Sequence, residues 1–528
     1  MKNFNVILFL CNWGPHAAYQ QLQEVDYQIP AEIKMVRIPC TGRITKALLF
    51  KAFEMGADGV ALVGCSSGTC RYGSGTQAAI NNTEDTRNII DLLGLGKERM
   101  RLANFLPDES QLLKEFLAGF FNDILAMGKS PISPAIGKEK ISLDENASAI
   151  VARHDAYSCQ DCGKCTSSCP LALCGKTYSP RDIVNAIIHG EAISPQVENN
   201  INACLTCGIC HERCPSDVNF PEFIRDMRCS IGGSGGNGSS RQAHGGFFQS
   251  LMRAMVSPDL KPRRGVHLPE QIRTDPESKV MFFGGCAPYF DVFFKRHHHV
   301  KTMDILTDSL KLLNFFDVHP RLFDEERCCG HDLLWSGDRS NFMRLAKLNV
   351  ESIRDAGIET LITACPECFQ TIRFDYENHG IDTGFNVIHL YEFLENEIDK
   401  GAVEFNHLSR KITFQDSCRL KRMEKVRGLP RKLIQRLSVE KFEEMKDSDR
   451  SALCCGNCAW TGCDSYSKAL QVKRLRQAHA TGSDLMVTSC PKCQIHLSCA
   501  MQDIMLGDEL KMDMIDLTSV IANTICWD

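Results

Sequence analysis

Short apolar runs alternate with helical stretches at the start of the chain. Phe4 to Leu10, Lys34 to Ile38 and Gly59 to Val63 predict strands, and Ile44 to Glu54 predicts a helix between the second and third. Strands interleaved with helices predict an α/β domain around a parallel sheet, spanning 1–128. Ser130-Pro131-Ile132-Ser133-Pro134 breaks helical continuation twice and predicts a linker. Beyond it the period changes: Pro180 to Gly190 and Phe220 to Arg228 have helical spacing with few strand formers, which predicts a helical domain over 147–229. Composition turns to Gly and Ser over 230–246, predicting a flexible linker. Gly233 to Gly238 satisfies the G-x-G-x-x-G expression, but no strand precedes it and no apolar helix follows. No flavin or nicotinamide site is visible in the chain.

Residues 279–528 repeat themselves. Val280 to Phe283, Leu361 to Thr363, Ile412 to Phe414 and Leu485 to Val487 predict strands, with helices such as Asp308 to Phe315 and Tyr466 to Ala478 between them. Two α/β lobes of one kind follow, over 247–405 and 406–528, offset by roughly 130 residues.

Composition changes this picture mainly through cysteine, of which the chain has 28. A net charge of -5 argues against nucleic acid and against an anionic membrane surface. No apolar run reaches bilayer length, and Asn5 to Leu10 lacks the length and basic flank of a signal peptide, so a cytoplasmic location is expected. In a reducing compartment so many thiols point to metal or redox chemistry rather than disulfides.

The helical domain carries the spacing C-x2-C-x2-C-x3-C-P twice, as Cys159, Cys162, Cys165, Cys169 and then Cys204, Cys207, Cys210, Cys214. This run wraps a cubane 4Fe-4S cluster, and its fourth cysteine serves the other cluster. Cys159, Cys162, Cys165 and Cys214 are therefore expected on one cluster, and Cys204, Cys207, Cys210 and Cys169 on the second. Structural zinc needs only a pair of knuckles per site, which two complete runs exceed. In the first domain the strands run into Cys11, Cys40 and Cys65, with Cys70 on the next loop. Parallel strands end on one edge, where such folds place ligands. Four thiolates there suit a 2Fe-2S cluster or tetrahedral zinc. The repeat carries Cys286, Cys328-Cys329-Gly330 and Cys365-Pro366-x-Cys368, then Cys418, Cys454-Cys455-Gly456 and Cys490-Pro491-x-Cys493. Five cysteines per lobe exceed what a cubane needs, and a Cys-Cys dipeptide commits adjacent thiolates to different irons or to one bridging position.

These motifs resemble known families. Phe9-Leu10-Cys11-Asn12-Trp13, Cys40-Thr41-Gly42-Arg43-Ile44, Gly56-Ala57-Asp58-Gly59-Val60 and Gly64-Cys65-x4-Cys70 resemble the delta subunit of methyl-viologen-reducing hydrogenase, with Gly14 where that family often has a second cysteine. The resemblance implies a Rossmann-like fold, one 2Fe-2S cluster and a link between an electron donor and heterodisulfide reductase. Tyr178-Ser179-Pro180-Arg181-Asp182-Ile183 is similar to the dicluster ferredoxin component of heterodisulfide reductase, a helical protein. The repeated cysteine set is that of the CCG domain and resembles the CCG component of heterodisulfide reductase. That likeness implies two noncubane 4Fe-4S clusters with a substrate disulfide between them, and gives all ten cysteines of the repeat a catalytic role.

The expected function is an iron–sulfur electron-transfer and disulfide-reducing subunit of a heterodisulfide-reductase-type, electron-bifurcating complex. The resemblance implies a partner like the flavin-binding component of heterodisulfide reductase, with a hydrogenase or formate dehydrogenase as donor, in a larger assembly of strict anaerobes, dimeric or not. The rivals are a pure electron-transfer protein feeding another reductase and a component of a quinone- or lactate-linked dehydrogenase. Cys174, Cys229, Cys458, Cys463, Cys499 and Cys526 are read as structural, and His297-His298-His299 as a solvated face. His331 and His496, close to cluster cysteines, are read as supporting side chains with proton donation to a leaving thiolate as the alternative.

Overall fold

A computed structural model describes residues 4–134, 143–190, 194–231, 242–264, 268–296, 300–401 and 403–527. Gly233 to Gly238 and His297-His298-His299 lie outside the described residues. Mixed α/β architecture with several parallel sheets and many helices is observed. The chain divides into two compact units, residues 1–136 with 244–265, and 137–243 with 266–528.

The first unit is built on four parallel strands, β1 (Val6–Cys11), β2 (Ile33–Ile38), β3 (Gly59–Cys65) and β4 (Met100–Phe105), in the order β2-β1-β3-β4. The central β3 is buried throughout, as a strand covered on both faces must be. The expected helix from Ile44 starts later: Thr41–Arg43 forms a 3-10 turn, and Thr45 caps the helix Lys46–Glu54 by accepting from the Leu48 N–H.

One boundary is corrected. Residues 247–264 do not join the first lobe, because the helix Phe247–Ala254 packs within the first unit. Phe247 lies 5.3 Å from Phe50, Arg253 Nε donates to Glu54 at 2.6 Å, and the Arg263 N–H donates to the Leu92 carbonyl at 2.8 Å. The sequence expectation that no apolar helix follows Gly233 to Gly238 is overturned here: Phe247, Phe248, Leu251 and Met252 of this helix are buried.

The second unit begins with helices alone: no strand occurs among the described residues of 143–231. Ser179 caps Pro180–Ile188 and Ser194 caps Pro195–Ala203, each with proline at the first helical position. The two repeats follow. Strands β5 (Val280–Phe282), β6 (Thr360–Thr363) and β7 (Asn386–His389) form one parallel sheet. Strands β8 (Leu408–Gln415), β9 (Val439–Phe442), β10 (Leu485–Thr488) and β11 (Asp513–Asp516) form another, in the order β11-β10-β8-β9. The run β8-β10-β11 repeats β5-β6-β7. The counterpart of β9 in the first lobe shrinks to a single parallel bridge between Met281 and Arg321. Cysteines from the helical segment and from the second lobe, among them Cys204, Cys207, Cys454, Cys455, Cys490 and Cys493, share one buried core.

Candidate iron–sulfur centres and the charge network between them

In the first unit the four predicted cysteines meet at the carboxyl edge of the sheet. Cys11 Sγ lies 3.6 Å from Cys65 Sγ and Cys40 Sγ lies 3.9 Å from Cys70 Sγ. Gly75, which opens the helix Gly75–Leu92, presses on both of the latter: a Cβ there would stand 2.6 Å from the Cys40 sulfur and 2.7 Å from that of Cys70. Burial pushes the Cys11 thiol up to about 11; burial also raises Cys70, but the N–H groups of Tyr72, Gly75 and Thr76 and the hydrogen bond with Cys40 hold it below its usual value. A Cβ at Gly14 would stand 3.1 Å from the Phe105 carbonyl, a tight contact.

In the second unit the two ferredoxin runs interleave, with helix Lys164–Ser167 against Ile209–Glu212. The turns match: Asp161 and Thr206, each just before the second cysteine of its run, are left-handed, and so are Gly163 and Gly208 just after it. Glycine suits that conformation at no steric cost, whereas Thr206, β-branched, is strained there. One small cavity is lined by Cys169, Cys204, Cys207 and Cys210, which joins the fourth cysteine of the first run to three of the second. Cys159 lies close enough to Cys165 to oppose its ionisation; Cys162 is exposed and Cys214 half-buried.

In each lobe proline at the first helical position starts a helix directly after the cysteine that follows the sheet, Pro366–Gln370 after Cys365 and Pro491–Met501 after Cys490. The thiols form the same sequence of contacts twice. In the first lobe Cys286 meets Cys328, with sulfurs 3.2 Å apart; Cys328 meets Cys329, Cys329 meets Cys368 and Cys368 meets Cys365. In the second, Cys418, Cys454, Cys455, Cys493 and Cys490 follow in that order. All five thiols of the first lobe line one cavity of about 40 Å³, whose wall includes Pro491 and Lys492 of the second lobe. Sulfurs so crowded cannot all ionise alone, since like charges at such range oppose each other. Bound iron removes that conflict, so the donor sets fit iron–sulfur clusters in chemistry and grouping.

Between the two sets lies a buried charge network. Lys492 fills the variable position of Cys-Pro-x-Cys in the second lobe and Glu367 the same position in the first. The Lys492 ammonium binds Glu367 at 2.6 Å and also Asp332. Burial opposes its charge, but Asp332 and Glu367 hold its pKa well above the usual lysine value. His331, Asp332 and Glu367 would otherwise make an acceptor cluster for a metal ion, and here the lysine supplies the cation. His331 is held neutral by burial and nearby guanidinium and ammonium groups. Its Nδ1 lies 2.8 Å from Asp332, and its Nε2 accepts from Arg419 Nε at 3.1 Å. Both nitrogens therefore have partners. His496 Nδ1 lies 3.2 Å from the Cys455 sulfur, and burial pushes its pKa down to about 3.

Sequence reasoning missed Lys492 and Glu367, although opposite charges at equivalent positions of a repeat were visible. It read Cys458 as structural without naming its partners. Cys458 is buried, 2.9 Å from Thr206 Oγ1 and 3.2 Å from Arg419 Nη2, contacts that no spacing announces.

Comparison with known proteins matches this layout segment by segment. Residues 6–128 match the family model of the methyl-viologen-reducing hydrogenase delta subunit, 151–218 that of the 4Fe-4S dicluster domain, and 280–373 with 412–498 that of the CCG cysteine-rich domain. The chain joins a hydrogenase-delta domain, a dicluster domain and paired CCG domains. Among its relatives is one component of the dihydromethanophenazine:CoB–CoM heterodisulfide reductase of Methanosarcina acetivorans, 27% identical over 73% of this chain and 97% of that protein. Another is a component of the fumarate reductase (CoM/CoB) of Methanothermobacter marburgensis, 26% identical over 75% of this chain and 77% of that one. A probable glycolate oxidase iron–sulfur protein from Bacillus subtilis is 24% identical over 66% of this chain and 89% of its own length. The hydrogenase-delta, dicluster and CCG domains thus place the chain among iron–sulfur oxidoreductase components. No described helix is long and apolar enough to cross a membrane.

Proposed function

We propose that the protein is the electron-transfer and disulfide-reducing component of a heterodisulfide-reductase-type complex. Cys11, Cys40, Cys65 and Cys70 would hold a 2Fe-2S cluster. Cys159, Cys162, Cys165 and Cys214 would hold one cubane cluster, Cys169, Cys204, Cys207 and Cys210 the other. Each CCG cysteine set would hold a noncubane 4Fe-4S cluster, for a total of about 18 irons per chain. The clusters supply one-electron steps and iron sites for sulfur.

What carries this reading is the meeting of the lobes. The first-lobe cavity is walled by Pro491 and Lys492, and Cys365 lies near enough to Cys490 to oppose its ionisation. Two complete cysteine sets sharing a boundary suit a reaction with two sulfur products: a disulfide takes up two electrons and two protons and leaves as two thiols. The chain's own residues close that boundary with a paired lysine and exclude bulk water from it.

Electrons would enter at the first unit. Arg37, Arg43 and Arg71 are exposed beside its cysteines, and none has an ion pair among the described residues. Arg37 Nε donates to Asn12 Oδ1 at 3.2 Å, next to Cys11, and the Arg71 guanidinium lies 4.0 Å from the Trp13 ring centroid. A basic rim with Trp13 and the half-exposed Tyr72 suits an acidic flavoprotein, hydrogenase or formate dehydrogenase partner.

The test is anaerobic titration of the oxidised protein with the CoM–CoB heterodisulfide, followed by EPR. A new paramagnetic species is expected, and Cys328→Ala and Cys454→Ala should each abolish both it and disulfide reduction. If one variant is silent, and no disulfide perturbs the spectrum of a protein with full iron, the pure electron-transfer reading replaces this one.

A further inference from the structure

One side chain touches the loops of three of the cysteine sets at once. Arg419 follows Cys418 and is only 1% exposed. Its Nη1 donates to the Thr206 carbonyl and its Nη2 to Thr206 Oγ1, both at 3.2 Å, in the turn between Cys204 and Cys207. Nη2 also lies 3.2 Å from Cys458 Sγ, on the loop that leaves Cys454-Cys455. Nε donates at 3.1 Å to His331, two residues beyond Cys329, and the guanidinium stacks 3.9 Å from the Trp335 centroid. Only a planar fork of five donors can serve so many acceptors in one plane.

The surroundings are arranged to keep it there. Thr206 is held left-handed at φ 46°, and the carbonyl so presented accepts from Arg422 Nη1 at 3.0 Å as well as from Arg419. Ala459 and Trp460, just past Cys458, are left-handed too. Strained backbone in both loops that meet at one guanidinium is the distribution found where position matters to function. Arg228 reinforces the joint, donating to the Cys204 carbonyl at 2.6 Å and the Trp335 carbonyl at 2.8 Å.

We propose that Arg419 is a positioning residue for electron transfer: it locks the Cys204–Cys207 loop against the CCG lobes, and its fixed charge favours the reduced state of the cluster held by Cys418 and its neighbours. The proposal rests on the cluster assignment above and adds to it the joint between the dicluster domain and the lobes. Each electron that passes adds one negative charge to the acceptor. A desolvated guanidinium beside Cys418 stabilises that charge far more than it would in water. The electron arrives from the reduced dicluster site, which is oxidised by one, and no bond is made or broken.

The experiment compares Arg419→Met, Arg419→Lys and Thr206→Val in the full chain, with iron content, EPR-monitored redox titration and stopped-flow reduction by dithionite as readouts. Arg419→Met should lower the reduced-to-oxidised ratio of the second-lobe cluster about tenfold at fixed ambient potential, or ~59 mV for a one-electron couple. The signals of the 2Fe-2S site and of the Cys159 site should not move. Arg419→Lys should restore the potential but not the rate of electron arrival, because a point charge replaces the fork. Thr206→Val, which keeps the charge and removes one acceptor, should slow arrival with the potential unchanged. If all the variants that assemble with full iron retain wild-type potentials and rates, Arg419 is merely structural and the proposal is overturned. Failure of the functional reading would show differently, as absence of the disulfide-dependent signal in the unaltered protein.

Discussion

At Gly75 the requirement for glycine is set by sulfur. A Cβ there would stand 2.6 Å from the Cys40 sulfur and 2.7 Å from that of Cys70, so both thiols would have to leave their present contact. Gly75→Ala is therefore expected to leave the first unit folded but unable to assemble the proposed 2Fe-2S cluster. Iron analysis should fall by about 2 per chain, and the 2Fe-2S absorption and EPR should vanish while the other clusters remain. His331, close to the Cys-Cys dipeptide in sequence, has partners for both nitrogens, Asp332 and Arg419.

Among the elements, the two Cys-Pro-x-Cys helices decide how the lobes meet. Each starts at the proline after a strand-end cysteine, so the residue between proline and the next cysteine lies in the first helical turn. With Glu367 in one lobe and Lys492 in the other, the two turns pair through charge. Lys492→Met leaves Asp332 and Glu367 buried without their cation, which should cost about 3–5 kcal/mol of stability. Lys492→Met with Glu367→Gln should recover part of that loss, and an anaerobic thermal-unfolding double-mutant cycle should show a coupling of about 0.5–3 kcal/mol. Additive losses would mean that the pair is not a joint.

For the whole molecule, the proposed entry of electrons is open to a salt experiment. The rim of Arg37, Arg43 and Arg71 surrounds the first unit's cysteines in a chain whose net charge is -5, so the local sign opposes the global one. Reduction by an acidic plant-type ferredoxin should slow as ionic strength rises, since attraction across the encounter is screened beyond about 10 Å at 0.1 M salt. Arg43→Glu with Arg71→Glu should lower the low-salt rate by about tenfold or more and flatten the salt dependence. Reduction by methyl viologen, a small cation, should not be slowed. An unchanged salt slope in the double variant would remove the rim from the entry route.

The sequence by itself determined the cysteine spacings and the strands that run into them, while β4, β7, β9 and β11 were not read from it. Spacing along one chain is local information, and a C-x2-C-x2-C-x3-C-P run, a Cys-Cys-Gly, or an apolar run ending in cysteine commits the backbone within a few residues. For that reason the strands leading to Cys11, Cys65, Cys365 and Cys490 and the pairing of Cys169 with the second ferredoxin run were all legible. Tertiary structure decided what each face meets. It sent Phe247–Ala254 to the first unit rather than to the first lobe, set Lys492 against Glu367 and Asp332, and brought Arg419 and Cys458 to the Cys204–Cys207 turn. These partners lie up to 252 residues apart in sequence. The physical reason is that a buried charge or thiol is defined by its neighbours in space, and a single sequence carries no periodicity that encodes them.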